Sequence, residues 1–289
     1  MTAEDLRPLM LSIAYRMVGS FSEAEDLVQD AYERLAREDG VENERAWLTT
    51  VLTRLCIDHL RSARVRREQY PGTWLPEPVM ADPAPAAALR SESLSLAVLV
   101  LLESLSPVER AVFVLREALD YGYDEIAEIV GKTPDNCRQL AVRARRHVDE
   151  RRPRFEPSRE QRDELMKRFV AALHDGETEP LVELLAEDAA FYGDGGGKAP
   201  AISRPVHGAL EIAKLLVAFR SVAVSRDYSF RAAEINGGPG LVAFDADGTL
   251  LAAMGLEVLD GAIRAIHSIV NPDKLAHISS TILPSLPPT

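Results

Sequence analysis

The chain has 289 residues, 46% of them apolar and 27% charged, and a formal net charge of -12 at pH 7. That length predicts two or three domains with separate cores, and the composition excludes a disordered or fibrous chain. The longest apolar run, "LAVLVLL" at residues 96–102, is too short to span a bilayer, and the polar start "MTAEDLRPLM" has no signal-peptide pattern, so a cytoplasmic protein with no membrane attachment is expected.

The first distinctive stretch is "SEAEDLVQDAYERLARED", residues 22–39, with seven acids against two arginines. Helical spacing places Ala24, Leu27, Val28, Ala31 and Leu35 on one side and Asp26, Gln29, Asp30 and Glu33 on or near the other, a face that repels DNA and suits water or a basic protein partner. The polar loop "DGVENE" follows, shaped to grip an unstacked base. Next, "RAWLTTVLTRLCIDHLRSARVRR" at 45–67 predicts a helix that buries Trp47, Leu48, Val51, Leu55, Ile57 and Leu60 and turns Arg54, Arg61, Arg64, Arg66 and Arg67 outward.

The proline-rich segment 70–89, "YPGTWLPEPVMADPAPAAAL", reads as an extended connector, whose adjacent Trp74 and Leu75 would stand exposed unless a neighbouring domain covers them. Beyond it, "GYDEIAEIVGKTPDNCRQLAVRARR" at 122–146 meets the demands of a helix-turn-helix. Ala127 sits where the helices cross, Gly131 tolerates the turn, and Ile126, Val130, Cys137 and Leu140 anchor the motif. Thr133 and Pro134 start the second helix. Its outward side chains, Asn136, Arg138, Gln139, Arg143, Arg145 and Arg146, include types that bond base edges bidentately and others that hold phosphates. Lys132 departs from the pattern, standing where such motifs place an apolar residue. Cys56 and Cys137 lie at apolar-periodic positions of separate segments, so buried reduced thiols are expected, and no Cys/His cluster has metal-ligand spacing.

Charge does not divide the chain: residues 1–157 hold 21 Lys and Arg against 27 Asp and Glu, and residues 158–289 hold 12 against 18. The basic side chains must therefore be confined to particular helices if an acidic protein is to meet a phosphate backbone. After the break at "RRPRFEPSRE", residues 162–187 and 208–220 keep helical periodicity, whereas 228–270 alternate as an antiparallel sheet with "NGGPG" and "DG" at turns.

"EAEDLVQDAYERL", "AWLTTVLTRLCIDHLR" and "LSPVERAVFVLREALDYGYDEIAEIVGKTPDNCRQLAVRARR" in this order resemble an extracytoplasmic-function sigma factor. The last part is similar to the SnoaL-like branch of the cone-shaped fold that also houses ketosteroid isomerases. "WLPEP", "DGGGK" and "NPDKL" are motifs of the sigma group that fuses this domain to its C-terminus, the mycobacterial sigma J type. The resemblance implies a multidomain protein: a sigma-2-like helical domain at 1–70, a Pro-rich linker at 71–93, a sigma-4-like helix-turn-helix domain at 94–153, and an α+β SnoaL/NTF2-like regulatory domain at 158–289. It further implies promoter DNA and the RNA polymerase core as partners, no cofactor, and no obligate separate anti-sigma factor.

By the same resemblance, Asn43, Arg45, Arg54, Arg61 and Arg64 meet the minus-ten element, and Thr133, Asn136, Arg138, Gln139, Arg143, Arg145 and Arg146 the minus-thirty-five element. Asp26, Gln29, Asp30 and Glu33 dock on polymerase. Trp74, Leu75, Pro76, Glu77 and Pro78, Asp194, Gly195, Gly196, Gly197 and Lys198, and Asn271, Pro272, Asp273, Lys274 and Leu275 form interdomain regulatory contacts that tune activity in cis. Two alternatives stay open on the residues alone. One is a one-component transcription regulator whose last domain senses an unknown small ligand; the other is a SnoaL-like enzyme tethered to a DNA-binding module, with Asp194 and His267, or Glu257 and His207, as its acid and base.

Overall fold

The computed structural model describes residues 3–80, 95–149 and 158–278. It divides into two units, one formed by Met1–Gln69 with Pro83–Arg152, the other by Tyr70–Asp82 with Pro153–Thr289.

In the first unit the helices are α1 (Ala3–Val18), α2 (Phe21–Leu35), α3 (Glu44–Glu68), α4 (Leu96–Leu102), α5 (Pro107–Phe113), α6 (Tyr123–Val130) and α7 (Pro134–Asp149). Their ends follow from local chemistry. Ser20 accepts from the Glu23 amide at 3.2 Å to start α2, and Ser106 and Glu109 cap α5 reciprocally, with Pro107 in the first turn. A π-helical stretch, Val114–Ala118, follows α5, and the chain then reverses through Asp120 at φ 54°. Gly131, at φ 66°, ends α6 in the left-handed conformation that favours glycine. Thr133 accepts from the Asn136 amide at 3.3 Å and starts α7.

The core beneath α6 and α7 contains Val112, Leu115, Ile126, Ala127, Ile129, Cys137, Leu140 and Ala141. Val130, an expected anchor, is only partly buried and Ile129 takes the deeper position. On α3 the buried stripe is Leu48, Leu52, Cys56, Ile57, Leu60 and Ala63 together with Thr49 and Thr53. Trp47, Val51 and Leu55 are half-buried, a shift of the apolar face that the sequence period missed because two threonines occupy its centre.

The second unit has α8 (Arg159–Asp175), α9 (Thr178–Leu184), α10 (Ala209–Ser225) and the four-residue α11 (Pro272–Leu275), with six strands: β1 (Leu185–Asp194), β2 (Val206–His207), β3 (Ser229–Ile235), β4 (Gly238–Phe244), β5 (Leu250–Leu259) and β6 (Ala262–Ile269). The strand order is β2-β1-β6-β5-β4-β3. The alternating segment 228–270 does form an antiparallel meander, but the whole sheet is mixed, because β1 pairs with β6 in parallel. Helical period was expected through residue 187; α9 stops at Leu184 and the small-residue run "LAEDAAFYGD" is a strand. Its inward Phe191 packs with Leu241, Met254, Leu256 and Ile266 against Phe169, Leu181, Ile212 and Leu216 of the helices. That apolar filling occupies the side of the sheet facing α8, α9 and α10. On the other side His267 is buried and stacks on Tyr192, centroids 5.3 Å apart, and burial lowers its pKa to about 4, so it is neutral at physiological pH.

Candidate nucleic-acid interface and linker-docking site

α7 presents Asn136, Arg138, Gln139, Arg143, Arg145 and Arg146 to solvent, while Cys137, Leu140, Ala141, Ala144 and Val148 are buried. The exposed set is not uniformly available. Arg143 lies 3.8 Å from Glu109 and Arg145 2.5 Å from Glu117, so both are braced against the helices before α6. Arg138 contacts Asp135 at 2.5 Å and stands over the Tyr123 ring, 5.5 Å from its centroid. Tyr123 thus lies beneath one of the arginines on the exposed face of α7.

On α3 a cavity of about 440 Å³ is lined by Val41, Glu42, Asn43, Ala46, Trp47, Thr50, Val51 and Arg54. An apolar floor of Trp47, Val41 and Val51 with a polar rim suits a flat, hydrogen-bonding ring. Asn43 caps α3 by accepting from the Ala46 amide at 3.1 Å. Arg54 spans two roles: it lines this cavity, and its guanidinium donates to the carbonyls of Ile129 at 2.9 Å and Glu128 at 3.0 Å, at the C-terminal end of α6. Arg45 is exposed, Arg61 pairs with Asp58 at 2.9 Å, and the side chains of Arg64, Arg66 and Arg67 lie outside the described residues. Asp26, Gln29, Asp30 and Glu33 are all exposed along α2, opposite the buried Ala24, Leu27, Val28 and Ala31.

The three short motifs meet in the second unit. Asp194, fully buried at the end of β1, accepts from the Tyr70 hydroxyl at 2.5 Å, from the Leu75 amide at 2.8 Å and from the Gly196 amide at 3.1 Å, and it pairs with the Lys274 ammonium at 2.8 Å. Lys274 also donates to the Leu75 carbonyl and lies 4.0 Å from the Trp74 ring centroid. A buried cation with a carboxylate, a carbonyl and an indole face around it is paired and solvated by protein. Asn271 caps α11 by accepting from the Asp273 amide at 3.1 Å and donates to the Tyr70 hydroxyl at 2.9 Å. Burial, and next the Asp194 carboxylate, push the Tyr70 phenol above its ordinary pKa.

Gly196, at φ 59°, and Gly197 let the loop approach the linker: a Cβ on the first would stand 2.9 Å from the Tyr70 hydroxyl, and one on the second 2.8 Å from Pro71. Lys198 forms an ion pair with Asp273.

Farther along the linker Leu75, Pro76, Glu77, Pro78, Val79 and Met80 are all buried. Asn236 clamps this end, its side chain accepting from the Val79 amide at 3.0 Å and its amide donating to the Val79 carbonyl at 2.7 Å, and Met80 bridges Ile235 on edge strand β3. His277 lies 2.9 Å from the Pro78 carbonyl and 3.8 Å from Glu77. Tyr70, Asn236 and His277 were absent from the sequence-based set; they sit outside the three motifs, and only their side-chain chemistry hinted at them. Residues 81–94 of the linker lie outside the described residues. The carboxylate of Asp194, one of the acids considered for catalysis, is committed to these linker bonds.

Two family models match the chain: sigma-70 region 2 over residues 2–66 and sigma-70 region 4 over residues 95–148. The extracytoplasmic-function RNA polymerase sigma factor SigJ of Mycobacterium tuberculosis is 37% identical over 94% of this chain and 91% of its own length. The probable sigma factor SigI of the same species is 34% identical over 93% of this chain and 92% of its own. The crystal structure of Mycobacterium tuberculosis SigJ superposes with a TM-score of 0.79 at 34% identity, covering 94% of this chain and 96% of that one. With a region-2 helical bundle, a region-4 helix-turn-helix and a C-terminal α+β domain built on a mixed sheet, the chain belongs to the extracytoplasmic-function sigma factors, which direct RNA polymerase in transcription initiation.

Proposed function

We propose that this sigma factor reads promoters as a subunit of the RNA polymerase holoenzyme and that its C-terminal domain sets its activity in cis by holding the linker. The observation that carries the second part is the buried Asp194–Lys274 pair closed on the Leu75 backbone. A domain that grips the connector between two promoter-contacting regions biases how far those regions separate, so no separate anti-sigma protein is required for control.

In the first region, the cavity around Trp47 takes a base unstacked from the minus-ten element, with Asn43 and Arg54 at its rim and Arg45, Arg61 and Arg64 along the strand. In region 4, α7 enters the minus-thirty-five major groove. The exposed acids of α2, Asp26, Asp30 and Glu33 with Gln29, meet a basic surface of the polymerase core. An acidic chain then contacts DNA only along its basic ridges, after assembly.

Arg138→Ala is expected to weaken minus-thirty-five recognition by about 1–3 kcal/mol, measured as holoenzyme affinity for duplexes varied at each position of that element. An unaltered sequence preference would remove Arg138 from the reading face. Trp74→Ala takes away the ring beneath the Lys274 ammonium and should raise protease cleavage around residue 80 and alter transcription. Unchanged cleavage together with unchanged transcript yield would contradict the linker's role. Strong, specific promoter binding by the free chain as a dimer, equal with and without core polymerase, would instead favour a one-component regulator.

A further inference from the structure

α7 carries one exposed feature that phosphate binding and hydrogen bonding to bases do not use. Val142 is 65% exposed, in the middle of a face otherwise built from Asp135, Arg138, Gln139, Arg145 and Arg146. The other branched aliphatic side chains of the helix, Leu140 and Val148, are buried. Among the described residues of the first unit, no other large hydrophobic side chain is comparably exposed. Val142 follows Arg138 by four residues and Gln139 by three, so the three side chains share one stripe along the helix.

On that stripe Arg138 lies between the Asp135 carboxylate, at 2.5 Å, and the Tyr123 ring, at 5.5 Å, and Tyr123 is itself under Arg116 at 5.3 Å. When such a face enters a major groove, Val142 loses its water whatever it meets. Among the base edges there, thymine alone offers an apolar group, the 5-methyl; the other edges present donors and acceptors that a valine would leave unsatisfied.

We infer that Val142 is a specificity-determining residue that reads a thymine 5-methyl group in the minus-thirty-five element. This rests on α7 being the helix that enters that groove. Four residues of helix advance about 6 Å against about 3.4 Å per base pair, so the thymine lies one or two base pairs from the base contacted by Arg138. Arg138 supplies hydrogen-bond recognition, and Val142 rejects bases that lack a methyl at that step.

The test uses holoenzyme assembled from core RNA polymerase and the full chain. It first selects binding sites from duplexes randomised across the minus-thirty-five element. Each thymine of the selected sequence is then replaced by deoxyuridine, which removes only the methyl. For the wild-type holoenzyme, one position should lose about fourfold in affinity, the value of one buried methyl-sized group. At that position Val142→Ala should bind thymine and uracil alike, while the preference set by Arg138 persists. Because Val142 is exposed and alanine favours helix, the variant keeps its fold. Uracil penalties that survive unchanged in Val142→Ala, or a selected element without thymine, would overturn this assignment and leave the proposed function standing. Failure to enrich any sequence would overturn both.

Discussion

Lys274→Ala is expected to destabilise the second unit by about 3–5 kcal/mol, because it removes one partner from a buried ion pair and leaves the other charged in a dry site. Asp194 is wholly buried and Lys274 nearly so, and the same ammonium satisfies the Leu75 carbonyl and covers the Trp74 ring. The linker, not the sheet, should fail first: β1 keeps its backbone partners on β6, whereas the segment around Leu75 loses its ammonium donor and its neighbouring charge. Guanidinium denaturation gives the stability and limited proteolysis the location. The double variant Asp194→Asn with Lys274→Met should recover part of the loss, since neither residue is then an unpaired buried charge. A loss below about 1 kcal/mol for Lys274→Ala, the value of an exposed pair, would mean that the ammonium is solvated after all.

The second large effect is expected in the first unit. The Arg110 side chain, 3% exposed, donates to the Met17 carbonyl at 2.6 Å and to Glu103 at 2.7 Å, tying α5 to the end of α1 and to the residue after α4. Arg110→Ala strands a helix-terminal carbonyl and a carboxylate and should cost about 3 kcal/mol. The readouts are a lowered melting transition and faster amide exchange in α5, α6 and α7. Arg54→Ala provides the contrast. Its bonds to the α6 carbonyls lie partly in solvent, so its removal should cost about 1 kcal/mol or less while still loosening α3 from α6. Equal, small effects of both substitutions would contradict the assignment of Arg110 as the buried tie.

These two sites differ in how far the sequence announced them. The helix-turn-helix was legible because its constraints are local: Gly131 at positive φ, Thr133 as cap and the anchors Ile126, Cys137 and Leu140 fall within one short window. The burial of Leu75, with Trp74 half-covered beside it, was also inferable, since adjacent apolar side chains on a proline-stiffened segment need a cover. What covers them was not inferable from residue spacing. Asp194, Lys274 and Leu75 are separated by long stretches of chain, and their meeting depends on β1 pairing in parallel with β6, which periodicity did not reveal. Arg110 was hidden for a related reason: an arginine in an amphipathic helix reads as surface, and only the tertiary packing of α1 against α5 turns it inward. Val142 was passed over because one valine on a basic helix face carries no pattern of its own.

The docked linker ties these observations to function, since residues 70–80 lie in sequence between regions 2 and 4 but are held by the C-terminal domain. Promoter-dependent run-off transcription tests this most directly, comparing holoenzymes that carry the full chain, the chain ending just before Asn271, and Lys274→Ala. Both altered chains are predicted to bind core polymerase and to shift transcript yield from one promoter severalfold in the same direction. Transcript yields identical to that of the full chain, with the linker shown by proteolysis to be released, would contradict control in cis.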